Sequence, residues 1–268
     1  MKQEVIDQIT ELVLKTNFAT LFAFPGLFKA QAALFELKPD KFAKWVDNLK
    51  LPIVDNVLIN TVNSMTDKAE LYTKDDFTKW GYGLLASRSI AIPGFLNAGV
   101  YLDGGVAANP CLDPFFGNEL PIFVSQLMQS YQTTPNSRLE KLSYAWDYRS
   151  FQDYQTDKTR FGNRLKTLYP FVTDISSIDF GISADKKKAM IKKGYAESIT
   201  QFEFYGIEKS PEPIEINLGL SGGGIRSFAH IGVIQALMEY NYHPKLYSAT
   251  SGGSIVAILF AGYEAKLA

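Results

Sequence analysis

Apolar residues recur at three- and four-residue intervals through the N-terminal MKQEVIDQITELVLKTN, with charged residues between them. That spacing puts one apolar stripe on a helix, so it predicts an amphipathic helix and not a cleaved leader. The next stretch, FATLFAFPGLFKAQAALFEL (18–37), is the most apolar of the chain, but Pro25, Gly26 and Lys29 interrupt it. It is too broken to span a bilayer comfortably. Two readings stay open: buried core, or a mobile greasy flap that makes peripheral contact with a membrane.

Further on, LPIVDNVLIN (51–60) reads as a strand and KDDFTKWGYGLLASR (74–88) as a helix. GVYLDGGVAANP reads as a strand ending in a turn, and residues 120–170 are polar, tyrosine-rich and less periodic. SADKKKAMIKKGYAESITQF (183–202) predicts a basic helix whose lysines form a solvated face. EKSPEPIE (208–215) has the proline, serine and charge of a linker. After it come INLGL, a glycine loop, the helical IRSFAHIGVIQALMEYN, the short strand LYSAT and a helix from Gly252. This β-loop-α-β-turn-α order implies an α/β fold with a parallel sheet and right-handed crossovers.

Composition narrows the chemistry. With 46% hydrophobic and 21% charged residues and a formal net charge of -1, the chain is ordinary globular protein with no electrostatic reason to bind nucleic acid. Cys111 is the lone cysteine and His230 and His243 the two histidines. An intramolecular disulfide is therefore excluded, a multi-histidine or multi-cysteine metal centre is not expected, and no cofactor is implied. A lone cysteine fits a reducing, cytoplasmic setting.

Three glycine-marked segments carry the candidate chemistry. In LYSATSGGSIVA, Ser251 sits between a strand and a helix among small neighbours, close to the G-x-S-x-G nucleophile elbow; a plain helix N-cap is the alternative. In GLSGGGIRSFAHIGV (219–233), Gly222, Gly223 and Gly224 let backbone N–H groups converge on one point. A phosphate loop is the competing reading, but no G-x-x-x-x-G-K-[ST] pattern is present and the G-x-G-x-x-G match is imperfect. An oxyanion loop ahead of a candidate nucleophile accounts for both segments. The third, YLDGGVAANP, reads by itself as a hairpin turn.

Taken together, these residues resemble the patatin-like phospholipase family. SGGGIRSFAHIGV matches its glycine-rich motif, ATSGGS its serine motif, and YLDGGVAANP, preceded by ASRSIAIPGFL (86–96), its aspartate motif. IDFGISADKKKAMIKKGYAES (178–198) is similar to the closing segment of bacterial members. The resemblance implies a three-layer α/β/α fold with a central, mostly parallel sheet, and hydrolysis of phospholipid or other lipid acyl esters. It implies a Ser251–Asp103 dyad, with an oxyanion hole from the backbone of Gly222, Gly223, Gly224, Ile225 and Arg226. Arg226 is open to three roles: steadying the loop, attracting a phosphate headgroup, or a structural or solvent-facing arginine.

The chain departs from the family pattern in three ways. Ala249 and Ser227 stand where glycine is usual, and Asp103 precedes Ser251 instead of following it. The order implies a circular permutation of one domain, 1–268. Residues 1–207 then correspond to the family's C-terminal part, 208–215 to a linker and 216–268 to its N-terminal part. A chain that joins parts of two neighbouring domains is the alternative. Acyl transfer and a catalytically weak lipid-binding module are the competing functions.

Overall fold

In the computed structural model, which describes residues 2–22, 39–92, 97–127, 155–172, 175–177 and 179–268, the expected N-terminal helix is α1 (Lys2–Lys15). Its stripe is buried through Val5, Ile6, Ile9 and Val13. Next come α2 (Phe18–Leu21), α3 (Asp40–Asn48), β1 (Val57–Asn63), β2 (Lys68–Tyr72), α4 (Lys74–Trp80), α5 (Tyr82–Ser89) and β3 (Tyr101–Asp103). They are followed by β4 (Ile122–Ser125), β5 (Leu165–Leu168), α6 (Ala184–Tyr205), β6 (Ile214–Leu220), α7 (Ala229–Glu239), β7 (Tyr242–Thr250) and α8 (Gly252–Leu267).

One mixed sheet runs β2-β1-β7-β6-β4-β5, with β3 also pairing β1. The β1–β7, β7–β6, β6–β4 and β4–β5 pairs are parallel, and only β2 and β3 run antiparallel to β1. The central β6 is buried from Ile216 to Leu220, as a parallel strand covered on both faces must be. Alternation along β4 separates two cores: Phe123 joins the main cluster, whereas Ile122 and Val124 pack with Leu112, Phe115 and Phe161 on the other face. The architecture is α/β with a central, mostly parallel sheet, as the patatin-like fold requires.

Helix α8 begins GGSIVAILFAG and is buried from Gly252 to Gly262, because a helix apolar on every side must sit inside. Helix α1 packs against it, and β6 and β7 lie in the middle of the sheet although they come last in the chain. Among the described residues, no helix is long and apolar enough to cross a membrane.

Local chemistry explains where the elements differ from the sequence reading. The helix expected over 74–88 is two, α4 and α5, broken at Gly81 with φ of 78°. The strand expected at 51–60 starts at Val57, and the LYSAT strand extends back to Tyr242, so His243 lies in β7. Strands β4 and β5 fall inside the 120–170 region; four residues each are too few to display a period.

Helix α6 is capped by Ser183, which accepts the Lys186 N–H at 3.3 Å, and it ends at the left-handed Gly206. Its lysine face has one exception. Lys187 is buried and donates from Nζ to the carbonyls of Val13, at 3.1 Å, and Thr16. Those carbonyls belong to the C-terminal turn of α1, which lacks intrahelical donors and carries partial negative charge. Burial pushes the Lys187 pKa down. Most of the greasy stretch at 18–37 lies outside the described residues; Phe18 and Phe22 within them are buried.

Candidate active site

Strand β7 delivers Ser251 to the edge of a turn and α8 leaves from the next residue. Ser251 adopts φ 51° and ψ -127°, a region an L-residue enters at a cost of about 1–3 kcal/mol. Hydrogen bonds hold it there. Its N–H donates to Ser89 Oγ at 2.9 Å, and its carbonyl accepts the Ser254 N–H at 3.0 Å together with the Ser254 hydroxyl. Ser89 in turn donates to the Asn60 carbonyl at 2.8 Å. Ser251 thus starts a helix, but its side chain does not cap it; the Oγ points elsewhere.

It points to Asp103. Ser251 Oγ donates to Asp103 Oδ2 at 2.5 Å, and each residue is 4% exposed. The register on β1 creates this contact. Asn60 faces Thr250 of parallel β7, and the next residue, Thr61, faces Asp103 of antiparallel β3. Two strands therefore approach head to head along one edge of β1 and end side by side. Asp103 Oδ1 accepts the Gly105 N–H at 2.8 Å. Burial outweighs both hydrogen bonds and pushes the carboxyl up to about 6, so it is a stronger base than an exposed aspartate and is still ionised at neutral pH.

Asn60 joins the pieces. Its Nδ2 donates to the carbonyls of Gly104 and Ala108, both at 3.0 Å, and its Oδ1 accepts the Thr250 hydroxyl. No motif pointed to Asn60 or Ser89. Ser89 lies within the quoted ASRSIAIPGFL without a role there, and Asn60 is one more polar residue in a strand.

The glycine loop packs directly over the serine. A Cβ on Gly222 would lie 2.7 Å from Ser251 Cβ, and Gly224, at φ +57°, would place one 1.9 Å from the Ser177 carbonyl. No other residue type fits either position. Three of the five N–H groups expected to form an oxyanion hole are already engaged. Gly222 donates to Asn109 Oδ1, Ile225 to the Ser177 carbonyl at 2.9 Å, and Arg226 to the Gly223 carbonyl at 3.2 Å. The N–H groups of Gly223 and Gly224 donate to no group among the described residues.

Two clefts meet at Ser251. One is lined by Phe18, Phe22, Ile92, Phe180, Phe228 and Ile255, with Phe18 4.9 Å from Phe228 and Phe22 4.5 Å from Phe180 between ring centres. The other is polar and is lined by Asp103, Asn109, Ser177, the three glycines and Arg226. Arg226 is 3% exposed, which excludes the solvent-facing role. Ala249, in place of a glycine, is buried without distorting β7. Ser227, in place of the other, leaves a buried hydroxyl with no hydrogen-bond partner among the described residues.

Neither histidine serves the serine. His230 is fully buried, and its two nitrogens contact Ser125 Oγ at 2.7 Å and the Ser221 carbonyl at 2.8 Å. His243 lies eight residues before Ser251 along an extended strand, roughly 25 Å away. Among the described residues no group of three His, Cys, Asp or Glu side chains could hold a metal ion.

The family model described as patatin-like phospholipase matches residues 218–267, from β6 through α8. A patatin-like phospholipase domain-containing protein of Neurospora crassa is 48% identical over 44 residues, 16% of this chain and 5% of the relative. One of Chaetomium globosum is likewise 48% identical over 44 residues, and one of Yarrowia lipolytica is 40% identical over 42, again 16% of this chain and 5% of each relative. The match thus spans only a small fraction of these relatives' length, and it covers the glycine loop and Ser251 but not Asp103. No solved structure matches the chain. Through the β6-to-α8 segment, the chain is similar to patatin-like phospholipases.

Proposed function

We propose that this protein is a lipid acyl hydrolase that cleaves carboxylic esters of phospholipids or lysophospholipids with Ser251 as nucleophile and Asp103 as base. The observation that carries the reading is the Ser251 Oγ to Asp103 Oδ2 hydrogen bond of 2.5 Å, buried where an apolar and a polar cleft meet. Asp103 takes the hydroxyl proton as Oγ attacks the ester carbonyl carbon. The carbonyl oxygen, now negative, accepts the N–H groups of Gly223 and Gly224, helped by the N-terminal end of α8. Collapse of the tetrahedral intermediate breaks the ester bond, and the proton on Asp103 passes to the departing alcohol oxygen. Water then attacks the acyl-enzyme and gives a proton to Asp103; the acyl–Oγ bond breaks, that proton passes to Ser251 Oγ, and the fatty acid is released.

The clefts divide the substrate. The acyl chain is assigned to the side of Phe18, Phe22, Phe180 and Phe228, and the alcohol and its phosphate to the polar side near Arg226; the clefts, about 20 and 60 Å³ in volume, must widen to take them. Peripheral contact with a lipid surface belongs to the same proposal. So does a single permuted domain over 1–268, supported by the place of β6 and β7 between β1 and β4 in one sheet.

Wild type and Ser251→Ala should be compared on mixed phospholipid vesicles and on 4-nitrophenyl butyrate, with released acids identified. Hydrolysis is expected from wild type alone, with a fluorophosphonate adduct mapped to Ser251. His243→Ala should hydrolyse at nearly the wild-type rate. Vesicle binding without turnover, and no adduct, would instead identify a lipid-binding module; transfer of the acyl group to an added alcohol in preference to water would identify a transferase.

A further inference from the structure

His230 is buried in α7 and touches neither Ser251 nor Asp103, yet both its ring nitrogens are engaged. The Ser221 carbonyl, 2.8 Å from Nε2, can only accept, so Nε2 carries the hydrogen. The neutral ring then accepts the Ser125 hydroxyl at Nδ1, 2.7 Å away. Burial pushes the His230 pKa down to about 4, and the same tautomer persists through neutral pH.

The carbonyl that His230 holds and the N–H that Asn109 holds belong to one peptide unit, Ser221–Gly222. A planar peptide gripped at its oxygen and its N–H has its orientation set. Ser221 is also tied to β4, since its N–H donates to the Ser125 carbonyl at 3.1 Å and its hydroxyl accepts the Leu127 N–H at 2.8 Å. Beyond this unit come Gly222, Gly223 and Gly224, the residues with the least conformational preference of their own. Without an external restraint, their N–H groups would have to be ordered again at each turnover, which sacrifices preorganisation.

We propose that His230 and Asn109 are positioning residues that clamp the Ser221–Gly222 peptide from opposite sides and so aim the Gly223 and Gly224 N–H groups at the developing oxyanion. The inference rests on Ser251 being the nucleophile. Asn109 sits six residues past Asp103, so the same clamp couples the oxyanion loop to the segment that carries the base.

The test uses His230→Leu, which removes both ring contacts, His230→Gln, whose amide can donate to Ser221 and accept from Ser125, and Asn109→Leu. For folded variants, kcat and KM on 4-nitrophenyl butyrate are measured beside the affinity for an alkyl trifluoromethyl ketone, which forms a tetrahedral, negatively charged adduct on the serine. The leucine variants should lose about 10- to 100-fold in kcat, up to the loss of one oxyanion donor, with KM little changed. The ketone should weaken by the same factor, and His230→Gln should recover much of the loss. Should the leucine variants not fold, Asn109→Ala, which removes the acceptor of the Gly222 N–H, carries the same comparison. Wild-type turnover with the leucine or alanine variants within twofold of it, or a loss of kcat without weaker ketone binding, overturns the clamp alone. Absence of Ser251-dependent turnover in wild type overturns the hydrolase reading, and the clamp's catalytic role with it.

Discussion

Thr250 and Asp103 face adjacent positions of one strand, Asn60 and Thr61 of β1. Residues 147 apart in sequence are therefore placed by a single step of backbone, and the serine after Thr250 falls within reach of the carboxylate. The arrangement is rigid because β1 is hydrogen-bonded to both strands at once. Its weak point is Asn60, whose side chain bonds both to the turn after Asp103 and to Thr250.

Asn60→Ala should therefore cost more than a buried side chain of its size. It removes a donor from each of the Gly104 and Ala108 carbonyls and an acceptor from the Thr250 hydroxyl, leaving Gly104 to the Ala107 and Ala108 N–H groups and Ala108 to Thr250, at a cost of about 1–3 kcal/mol. Activity per folded molecule should fall at least tenfold with little change in KM, since the two reacting residues lose their common anchor. Chemical denaturation and steady-state kinetics check both halves; a stable, fully active variant would show that β1 pairing alone sets the geometry.

Asp103 links activity and stability to pH in opposite directions. As the proposed base it must be ionised, so kcat/KM should rise with pH along a single limb centred near 6. Its folded pKa lies above the unfolded value, so the protonated form stabilises the fold below about 4, and that contribution is lost as pH rises through about 6. Asp103→Asn should abolish turnover yet raise the thermal midpoint at pH 8. His230, with its folded pKa depressed to about 4, acts the other way: its contribution is present above 6.5 and is lost on acidification. The two oppose each other between pH 4 and 6. Removing the aspartate should therefore steepen the acid loss of stability, as thermal melts across that range would reveal.

Ser227 offers a stabilising change. Its hydroxyl is buried without a hydrogen-bond partner among the described residues, next to Gly252. Ser227→Ala removes that desolvation cost and should stabilise by on the order of 1 kcal/mol, with activity retained. A destabilised variant would mean that the hydroxyl is satisfied in solution.

Phe22 stacks on Phe42 and packs against Phe180 at the wall of the apolar cleft. Phe22→Ala should cost about 3–5 kcal/mol and open space beside the acyl chain. Its relative kcat/KM on a 4-nitrophenyl ester series should move toward longer acyl groups. An unchanged chain-length profile in folded protein would place the acyl group elsewhere.

Much was legible in the sequence alone. The apolar runs of β6, β7 and α8 and the stripe of α1 announced elements, because burial of apolar area imposes its period on the chain. The glycines of 222–224 and the small residues around Ser251 announced a crowded turn, since no side chain fits where backbone and serine approach that closely. Short β4 and β5 left no period to read. Nor could local pattern tell the buried Lys187 from its solvated neighbours, because its partners are carbonyls 171 and 174 residues away in sequence. The tertiary structure alone decided which N–H groups of the glycine loop are already bonded, that Asp103 rather than a histidine meets Ser251, and that Asn60, Ser89, Asn109 and His230 support them. Most of those contacts join residues distant in sequence, and a hydrogen bond is set by distance and angle in space, which only the packed sheet and its helices specify.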